Sequence, residues 1–350
     1  MKKILLLLLF FPLLSFGQSV ITNANIAQLV NDWDTDEQFA IEFLHGNISD
    51  WDVSNVTDMS YLFYYETYFT NEDLSAWDVS NVTNMSHMFR GTNSFNGNIS
   101  SWDVSNVTNM SYMFESTNSF NQDIGSWDVS NVTNMSYFFM NNDSFNQDIG
   151  DWDVSNVTDM ASMFYSANSF NQDIGDWDVS NVTSMSWMFR STNSFNQDIG
   201  SWDVSNVTDM SSMFYDADLF NQHLSFWDVS NVTNMSYMFS ENEIFNGMIG
   251  SWDVSNVTNM NSIFYNNSAF NRDLLWDVSN VSDMSNMFQN AFAFNGNIDS
   301  WDVSSVTNMS NMFQNANSFN KDLNSWDVSN VTNMSYMFQN VHYFDANISS

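Results

Sequence analysis

The chain has 350 residues, of which 41 are Asp or Glu and only 6 are Lys or Arg, so its formal net charge is −35. So few basic residues cannot neutralise a phosphate backbone, which excludes nucleic acids and anionic lipid surfaces as main partners. The chain has no cysteine, so its fold depends on packing or on bound ions rather than on disulfides.

The first residues have the pattern of a secretory signal peptide. Lys2 and Lys3 precede an apolar run over residues 4–14, and small residues follow at Ser15 and Gly17. The run is too short for a membrane-spanning helix, which needs about 20 apolar residues. We predict a signal peptide over residues 1–17 and a mature chain that is secreted or held at the cell surface, without membrane insertion.

Residues 18–48 precede the repeats described below and are expected to form a helical N-terminal cap. Ile26, Leu29, Val30 and Trp33 fall on one helical face, which predicts a first amphipathic helix. A second short helix is predicted over residues 35–44. Their expected role is to cover the open end of the first repeat, as the terminal units of solenoids do.

A Trp-Asp-Val motif then recurs at intervals of 24 to 26 residues to the end of the chain. Its tryptophans are Trp51, Trp77, Trp102, Trp127, Trp152, Trp177, Trp202, Trp227, Trp252, Trp276, Trp301 and Trp326. Periods of this length indicate a solenoid, because a single unit cannot bury its apolar face without its neighbours. We therefore assign residues 49–350 to one solenoid, which we expect to continue beyond residue 350.

The copy that begins at Trp127 predicts the layout of one coil. Trp127 and Val129 alternate with Asp128, which predicts a short strand at about residues 126–130. Apolar residues at spacings of three and four follow, from Val132 to Phe139, and predict a short helix. The expected fold class is an α/β solenoid of about 12 leucine-rich-repeat-like coils, each with one short strand and one short helix, around columns of Trp, Phe and Met.

The repeat over residues 120–137, Phe-Asn-Gln-Asp-Ile-Gly-Ser-Trp-Asp-Val-Ser-Asn-Val-Thr-Asn-Met-Ser-Tyr, resembles that of bacterial surface proteins of the BspA-like leucine-rich-repeat type. The resemblance covers essentially the whole mature chain. It implies a leucine-rich solenoid exported by a bacterium, with a role in adhesion to cells, matrix or polymers. It brings no catalytic residues with it.

Two columns of aspartates are the candidate metal ligands. Asp128 and its equivalents follow each tryptophan, and Asp123 precedes Asp128 by five residues in a pattern that the next three coils repeat. Two interpretations are open: each Asp accepts the amide two residues later, or stacked carboxylates hold a ladder of Ca²⁺, the one ion that the sequence suggests. The candidate ligands are Asp103, Asp123, Asp128, Asp148, Asp153, Asp173, Asp178, Asp198 and Asp203. No other cofactor is expected.

No catalytic constellation is visible in the sequence, and an enzyme is not expected. The four histidines fall at four different phases of the repeat, and there is no cysteine nucleophile. Copied aspartates share one environment, whereas general acid and general base roles need two different environments.

Positions that vary between copies are the candidates for partner binding. The residue before Met-Phe, or before Phe-Phe in one coil, is aromatic in several coils, and Tyr112, Tyr137, Trp187 and Tyr237 are the candidate contacts. The expected function is non-enzymatic binding or adhesion through an extended acidic surface, to a protein or polysaccharide on a cell or matrix. The alternative is a structural spacer, or stalk, that projects another domain from the cell surface and is stabilised by Ca²⁺.

Overall fold

The computed structural model describes residues 20–33, 38–67 and 69–347. The predicted signal peptide, the start of the second predicted helix and the last three residues lie outside these ranges. Within them, no helix is long and apolar enough to cross a membrane.

Two short α-helices precede the first coil. Helix α1 spans Ile26–Trp33 and helix α2 spans Gln38–His45, followed by a 3₁₀-helix over Ile48–Asp50. The amide group of Asn23, just before α1, caps the first coil, because its Oδ1 accepts from the Thr57 backbone N at 2.8 Å and its Nδ2 donates to the Thr57 hydroxyl. Trp33 at the end of α1 packs edge-on against Phe69, with ring centroids 5.9 Å apart. Helix α1 and the residues just before it therefore contact the first coil.

The remaining described residues form one continuous stack of coils. The prediction of a solenoid is therefore confirmed. Each coil pairs in parallel with the next through a single bridge, from Asp58 with Asn84 to Asn308 with Asn333. The paired residues are 24 to 26 positions apart, which is the period of the sequence repeat. Every residue therefore lies beside its equivalent in the neighbouring coil.

The predicted strand and helix of each coil are wrong, because the described coils are built from β-turns. The segment predicted as a strand is flanked by two turns that overlap its ends, one closed by the Trp127 N to Ile124 O bond and one by the Val132 N to Val129 O bond, and no strand forms between them. The parallel bridge lies later, at Asn134. Further turns follow at Met135–Phe138, Tyr137–Met140 and Phe139–Asn142, where the helix was expected.

Two features of the backbone prevent a helix in this segment. Tyr137 and Asn141 have φ of +60° and +54°, which suits the third residue of a type II turn and interrupts a helix. The N–H groups of Met135, Tyr137, Phe139 and Asn141 donate to the next coil at 2.7–3.1 Å instead of to the preceding turn of the same coil. These N–H groups bond to the neighbouring coil, so they are not available for the i to i−4 hydrogen bonds of a helix.

The core consists of continuous columns of large apolar side chains. Neighbouring tryptophan rings stack with centroids 6.3–6.5 Å apart, as Trp102 and Trp127 do. Two phenylalanines of the same coil also stack, such as Phe139 and Phe145 at 3.8 Å. Met135 and its equivalents are fully buried beside them in most coils. Burial of each such side chain stabilises the fold by about 1.5–3 kcal/mol, so the coils hold together without disulfides.

Polar ladders run along the outside of the same coils. The Asn131 amide donates to the Ser105 carbonyl of the preceding coil at 2.8 Å, and its equivalents repeat this bond. Asn131 is exposed, so this column is an external ladder rather than an internal one. A second ladder links Asn121 Oδ1 to the backbone N of Asn146 at 3.0 Å. Both ladders satisfy turn backbone groups from the neighbouring coil.

Candidate binding face

One face of the solenoid carries most of its exposed aromatic side chains. It is formed by residues 136–141 and their equivalents in the other coils, and we call it the turn face. Two columns of side chains run along it, one through Tyr137 and one through Met140, three residues later. Each coil therefore contributes two side chains to this face.

The first column, through Tyr137, has a left-handed backbone in every coil, with φ between +53° and +63°. Its members are Tyr61, His87, Tyr112, Tyr137, Ser162, Trp187, Ser212, Tyr237, Ser262, Asn286, Asn311 and Tyr336. A positive φ is unusual for bulky side chains and costs about 1–2 kcal/mol for each residue. The inter-coil hydrogen bonds hold these residues in place. The rings of the column are partly or largely exposed, whereas Ser162, Ser212 and Ser262 are only 2–4% exposed.

Four rings of the first column form a continuous stack. Tyr61, His87, Tyr112 and Tyr137 lie nearly parallel, with successive centroids 4.4, 4.4 and 4.3 Å apart. Beyond Tyr137 the column alternates between serine and aromatic residues as far as Ser262. The stack therefore ends at Tyr137.

The second column, through Met140, is aromatic in the coils where the first column has serine. Tyr165, Tyr215 and Tyr265 follow Ser162, Ser212 and Ser262 by three residues. Tyr165 packs edge-on against Trp187, with ring centroids 5.8 Å apart. After Tyr137, the aromatic residue therefore alternates between the second column and the first from one coil to the next. Together the two columns form a ribbon with at least one ring in each coil from Tyr61 to Tyr265.

The ribbon concentrates the tyrosines of the chain on one face. Ten of the 12 tyrosines belong to its two columns or to the turn beside them. They are Tyr61, Tyr64, Tyr65, Tyr112, Tyr137, Tyr165, Tyr215, Tyr237, Tyr265 and Tyr336. Trp187 and Tyr237 are 39% and 40% exposed, so the ribbon is open to a partner.

Both arginines of the ribbon lie over aromatic rings. The guanidinium carbon of Arg190 is 3.9 Å from the ring centroid of Tyr215 and 4.4 Å from that of Trp187. The guanidinium of Arg90 lies 5.1 Å from the ring centroid of Tyr112 and forms an ion pair with Glu115. Such contacts stabilise a cation by about 0.5–2 kcal/mol, so the rings help to hold both guanidinium groups in place.

Burial shifts the pKa values of several groups in the stack. Desolvation, with a further contribution from the adjacent Tyr137 hydroxyl, raises the pKa of Tyr112 to about 12. Desolvation and the Arg90 charge lower the pKa of His87, which keeps the imidazole neutral between its two tyrosines. Desolvation also raises the pKa of the Glu115 carboxyl, and the Arg90 charge opposes this effect.

The turn face changes from aromatic to amide towards its C-terminal end. Gln289 donates to Gln314 at 2.7 Å, and Asn315 donates to Asn290 at 2.6 Å. Asn340 continues the second of these rows by donating to Asn315 at 2.8 Å. The face therefore has two chemically distinct parts, a stacked aromatic part and a hydrogen-bonded amide part.

The repeats match one family model along almost the whole chain. The model is described as "Mycoplasma protein of unknown function, DUF285", and it matches residues 22–148, 122–225, 185–275 and 274–350. The chain belongs to this family. No curated protein matches the DUF285 chain.

Solved structures similar to this DUF285 chain include leucine-rich-repeat proteins. One from Bacteroides ovatus is 10% identical, with a TM-score of 0.36 and 78% of each chain covered. One from Leptospira interrogans is 7% identical, with a TM-score of 0.21, and covers 88% of this chain and 95% of its own. The functional domain of InlJ from Listeria monocytogenes is 8% identical, with a TM-score of 0.26, and covers 80% of this chain and 63% of its own.

The four predicted partner contacts lie in one column of the DUF285 solenoid, but only two touch. Tyr112 and Tyr137 stack, whereas Ser162 and Ser212 separate Trp187 and Tyr237 from them and from each other. The alignment of Tyr165 and its equivalents into a second aromatic column was not predicted. The signal that reveals it is the tyrosine three residues after each of Ser162, Ser212 and Ser262.

The predicted aspartate columns have their Oδ1 atoms in local turns. Asp128 Oδ1 accepts from the backbone N and the hydroxyl of Ser130 at 3.1 and 2.6 Å, and Asp123 Oδ1 accepts from the Gly125 N at 3.0 Å. Equivalent backbone bonds involve Asp103, Asp148, Asp153, Asp173, Asp178, Asp198 and Asp203. Within the described ranges, no three carboxylates or imidazoles form a group that could hold a metal ion. A calcium ladder on these residues stays a prediction.

Proposed function

We propose that this chain is a non-enzymatic binding protein whose partner docks on the aromatic part of the turn face. The observation that supports this function most directly is the concentration of ten tyrosines and Trp187 on one side of a repetitive rod. Aromatic side chains are enriched at protein interfaces because they offer a large contact area at a low entropy cost. The partner we propose is a protein or polysaccharide on a cell or matrix surface.

A spacer role explains this face less well than binding does. The core columns and the inter-coil hydrogen bonds join the coils without these rings, and the first column has serine at Ser162, Ser212 and Ser262. Bulky rings at a positive φ add backbone strain at partly exposed positions. A rod that only separates two domains has no need of these rings.

The proposed location is outside the cell. The predicted signal peptide and the resemblance to BspA-like surface proteins both support export, and strong negative charge suits a soluble exported rod. Adhesion is the binding role that this resemblance suggests. The acidic surface also favours partners that are neutral or basic.

The test replaces the four predicted contacts by the serine that three equivalent positions already carry. Beads that carry the mature chain, or its Tyr112→Ser, Tyr137→Ser, Trp187→Ser and Tyr237→Ser variant, are applied to epithelial cells and to surfaces coated with matrix protein or insoluble polysaccharide. We expect adherent beads to fall at least tenfold for the variant. Melting curves verify that both chains are folded.

The matched control removes exposed apolar side chains from another face. Phe226 and Leu275 are 88% and 72% exposed, and most equivalent positions in other coils are Ser or Asp. The Phe226→Ser and Leu275→Ser variant should adhere like the unmodified chain. Equal adhesion by the turn-face variant and the unmodified chain would contradict the proposed function and favour a spacer.

A further inference from the structure

The aromatic stack has an open end at Tyr137. One face of the Tyr137 ring lies against Tyr112, with the two ring planes 6° apart. The next position in the column is Ser162, whose side chain is too small to cover the other face. The position after that is Trp187, so two aromatic residues of the same column are separated by one coil whose residue in this column is serine.

A cavity of about 190 Å³ lies at this interruption. It is lined by Tyr137, Met140, Ser162, Tyr165, Ser186 and Trp187, and we call it the Ser162 slot. Aromatic rings and a thioether form most of its wall, and two serine hydroxyls supply polar groups. Such a mixture is typical of a small, specific binding pocket.

The neighbouring coils show what fits an interval of this size. Tyr112 occupies the same column position between His87 and Tyr137, with ring centroids 4.4 and 4.3 Å from its own. One planar ring therefore fits between two residues that are two coils apart in this column. At the Ser162 slot the column has serine instead of that ring, and Tyr165 of the second column packs edge-on against Trp187 beside it.

The charges around the slot select the kind of ring. Arg190 lies 4.4 Å from the centroid of Trp187 and 5.7 Å from that of Tyr165, so its cation repels a basic group that enters beside these rings. The net charge of −35 repels an anionic guest over a longer range. The guest that fits these charges is therefore a neutral, electron-rich ring. Such a ring stacks on Tyr137 and is attracted to the Arg190 guanidinium.

We propose that the Ser162 slot binds a single aromatic side chain, a tyrosine or a tryptophan, presented by a partner protein or peptide. The guest ring continues the stack after Tyr137 and has Trp187 on its other side. Ser162 is only 4% exposed and the Ser186 hydroxyl lies 3.2 Å from that of Ser184, so ring stacking, rather than a hydrogen bond, is the main contact that the slot offers. This inference rests on the proposed function, because it specifies one contact within the turn face.

The experiment uses small probes with the mature chain. N-acetyl-tryptophanamide and N-acetyl-tyrosinamide are titrated while saturation-transfer NMR records their contact with the protein. The cyclohexylalanine analogue tests whether an aromatic ring is required, and methyl β-glucoside tests whether a sugar ring is accepted instead. We expect saturable signals from the two aromatic probes and signals at least fivefold weaker from the other two.

Three variants locate the binding. Ser162→Tyr fills the slot from within and should abolish the aromatic signal, while Trp187→Ser removes one wall and should weaken it at least threefold. Asn311→Tyr is the matched control, because it adds a tyrosine at a similar φ of +57° in the amide part of the column. The control should bind the probes like the unmodified chain.

Other results would overturn the inference. Signals that persist unchanged in Trp187→Ser, or that are equally strong for the glucoside, would exclude an aromatic guest in this slot. Absence of any aromatic signal would also exclude it. The bead experiment separates the two proposals, since loss of adhesion without probe binding would leave the turn-face function intact and remove only the slot.

Discussion

Tyr112 and Tyr137 stack with ring centroids 4.3 Å apart, although both residues hold a positive φ of about 60°. Their backbone N–H groups donate to Ser136 and Ala161 of the following coils at 2.9 and 2.8 Å. The inter-coil bonds fix the left-handed backbone, and the stack recovers part of its cost because two faces leave water together.

This relationship predicts coupling between the two tyrosines. Tyr112→Ser and Tyr137→Ser should be non-additive, with an interaction free energy of about 0.5–1.5 kcal/mol from the lost stack. Urea unfolding of the single and double variants measures it. Tyr112→Ser combined with Tyr336→Ser, which lies at the other end of the column, should be additive within about 0.5 kcal/mol. Additivity of the Tyr112 and Tyr137 variants would show that the stack stabilises nothing.

The same pair predicts that Tyr112 loses its phenol proton at a higher pH than an exposed tyrosine does. Because burial raises the pKa of Tyr112 to about 12, the folded chain retains this proton at pH values where the unfolded chain, with a pKa of about 10, has lost it. The resulting stability is complete below about pH 10 and is lost as the pH rises towards 12. Tyrosinate absorbance of the unmodified chain minus that of Tyr112→Phe isolates this group. A difference curve centred near pH 10 would contradict the prediction.

The sequence predicted the core better than it predicted the backbone. Trp127 and Val129 are buried and Asp128 is exposed, as their alternation predicts. The predicted helix was wrong because consecutive β-turns, each closed between residues i and i+3, also place apolar residues three and four positions apart, as Met135 and Phe138 show. Periodicity alone does not distinguish these two backbones.

The candidate site was predicted only along one column. Tyr112, Tyr137, Trp187 and Tyr237 share a phase of the repeat, so their alignment follows from counting residues. The position of Tyr165 beside Trp187 depends on how neighbouring coils superpose, and the Ser162 slot depends on the absence of a ring. Neither the contact between Tyr165 and Trp187 nor the slot can be predicted from the position of one residue within the repeat.

The aspartate turns predict a loss of stability in acid. The Ser105 hydroxyl and backbone N–H hold the pKa of Asp103 below its usual value, and the same arrangement lowers the pKa of Asp178 and Asp253. The stabilisation is present above the unfolded pKa of about 3.9 and is lost as the pH falls through the folded values. Urea midpoints should therefore decrease below about pH 4. Asp103→Asn should reduce this pH dependence, and an unchanged profile would contradict the turn role.

Calcium provides a separate test of the same columns. Because the Oδ1 atoms of Asp123 and Asp128 already accept turn hydrogen bonds, we expect the same melting midpoint in Ca²⁺ and in chelator at matched ionic strength. Mg²⁺ controls for general screening of the negative charge. A midpoint that rises saturably with Ca²⁺ alone would instead support the predicted ladder from Asp103 to Asp203.

Arg190 should stabilise the ribbon through its contacts with two rings. Its guanidinium lies 3.9 Å from the ring centroid of Tyr215 and 4.4 Å from that of Trp187, so Arg190→Gln should lower the free energy of unfolding by about 0.5–2 kcal/mol. Arg272→Gln is the matched control. Arg272 Nε donates to the Asn246 carbonyl at 3.0 Å, and Gln172 at the equivalent position donates to the Asn146 carbonyl at 2.9 Å.

Urea unfolding of the two arginine variants separates cation–π stabilisation from loss of positive charge. Both substitutions remove one positive charge from a strongly acidic chain, so the general electrostatic effect is shared. The glutamine at residue 272 can keep the inter-coil bond, whereas the glutamine at residue 190 cannot replace a cation over two rings. Arg190→Gln should therefore be the less stable variant at both low and high salt. Equal destabilisation by the two substitutions would show that the rings contribute nothing to holding Arg190.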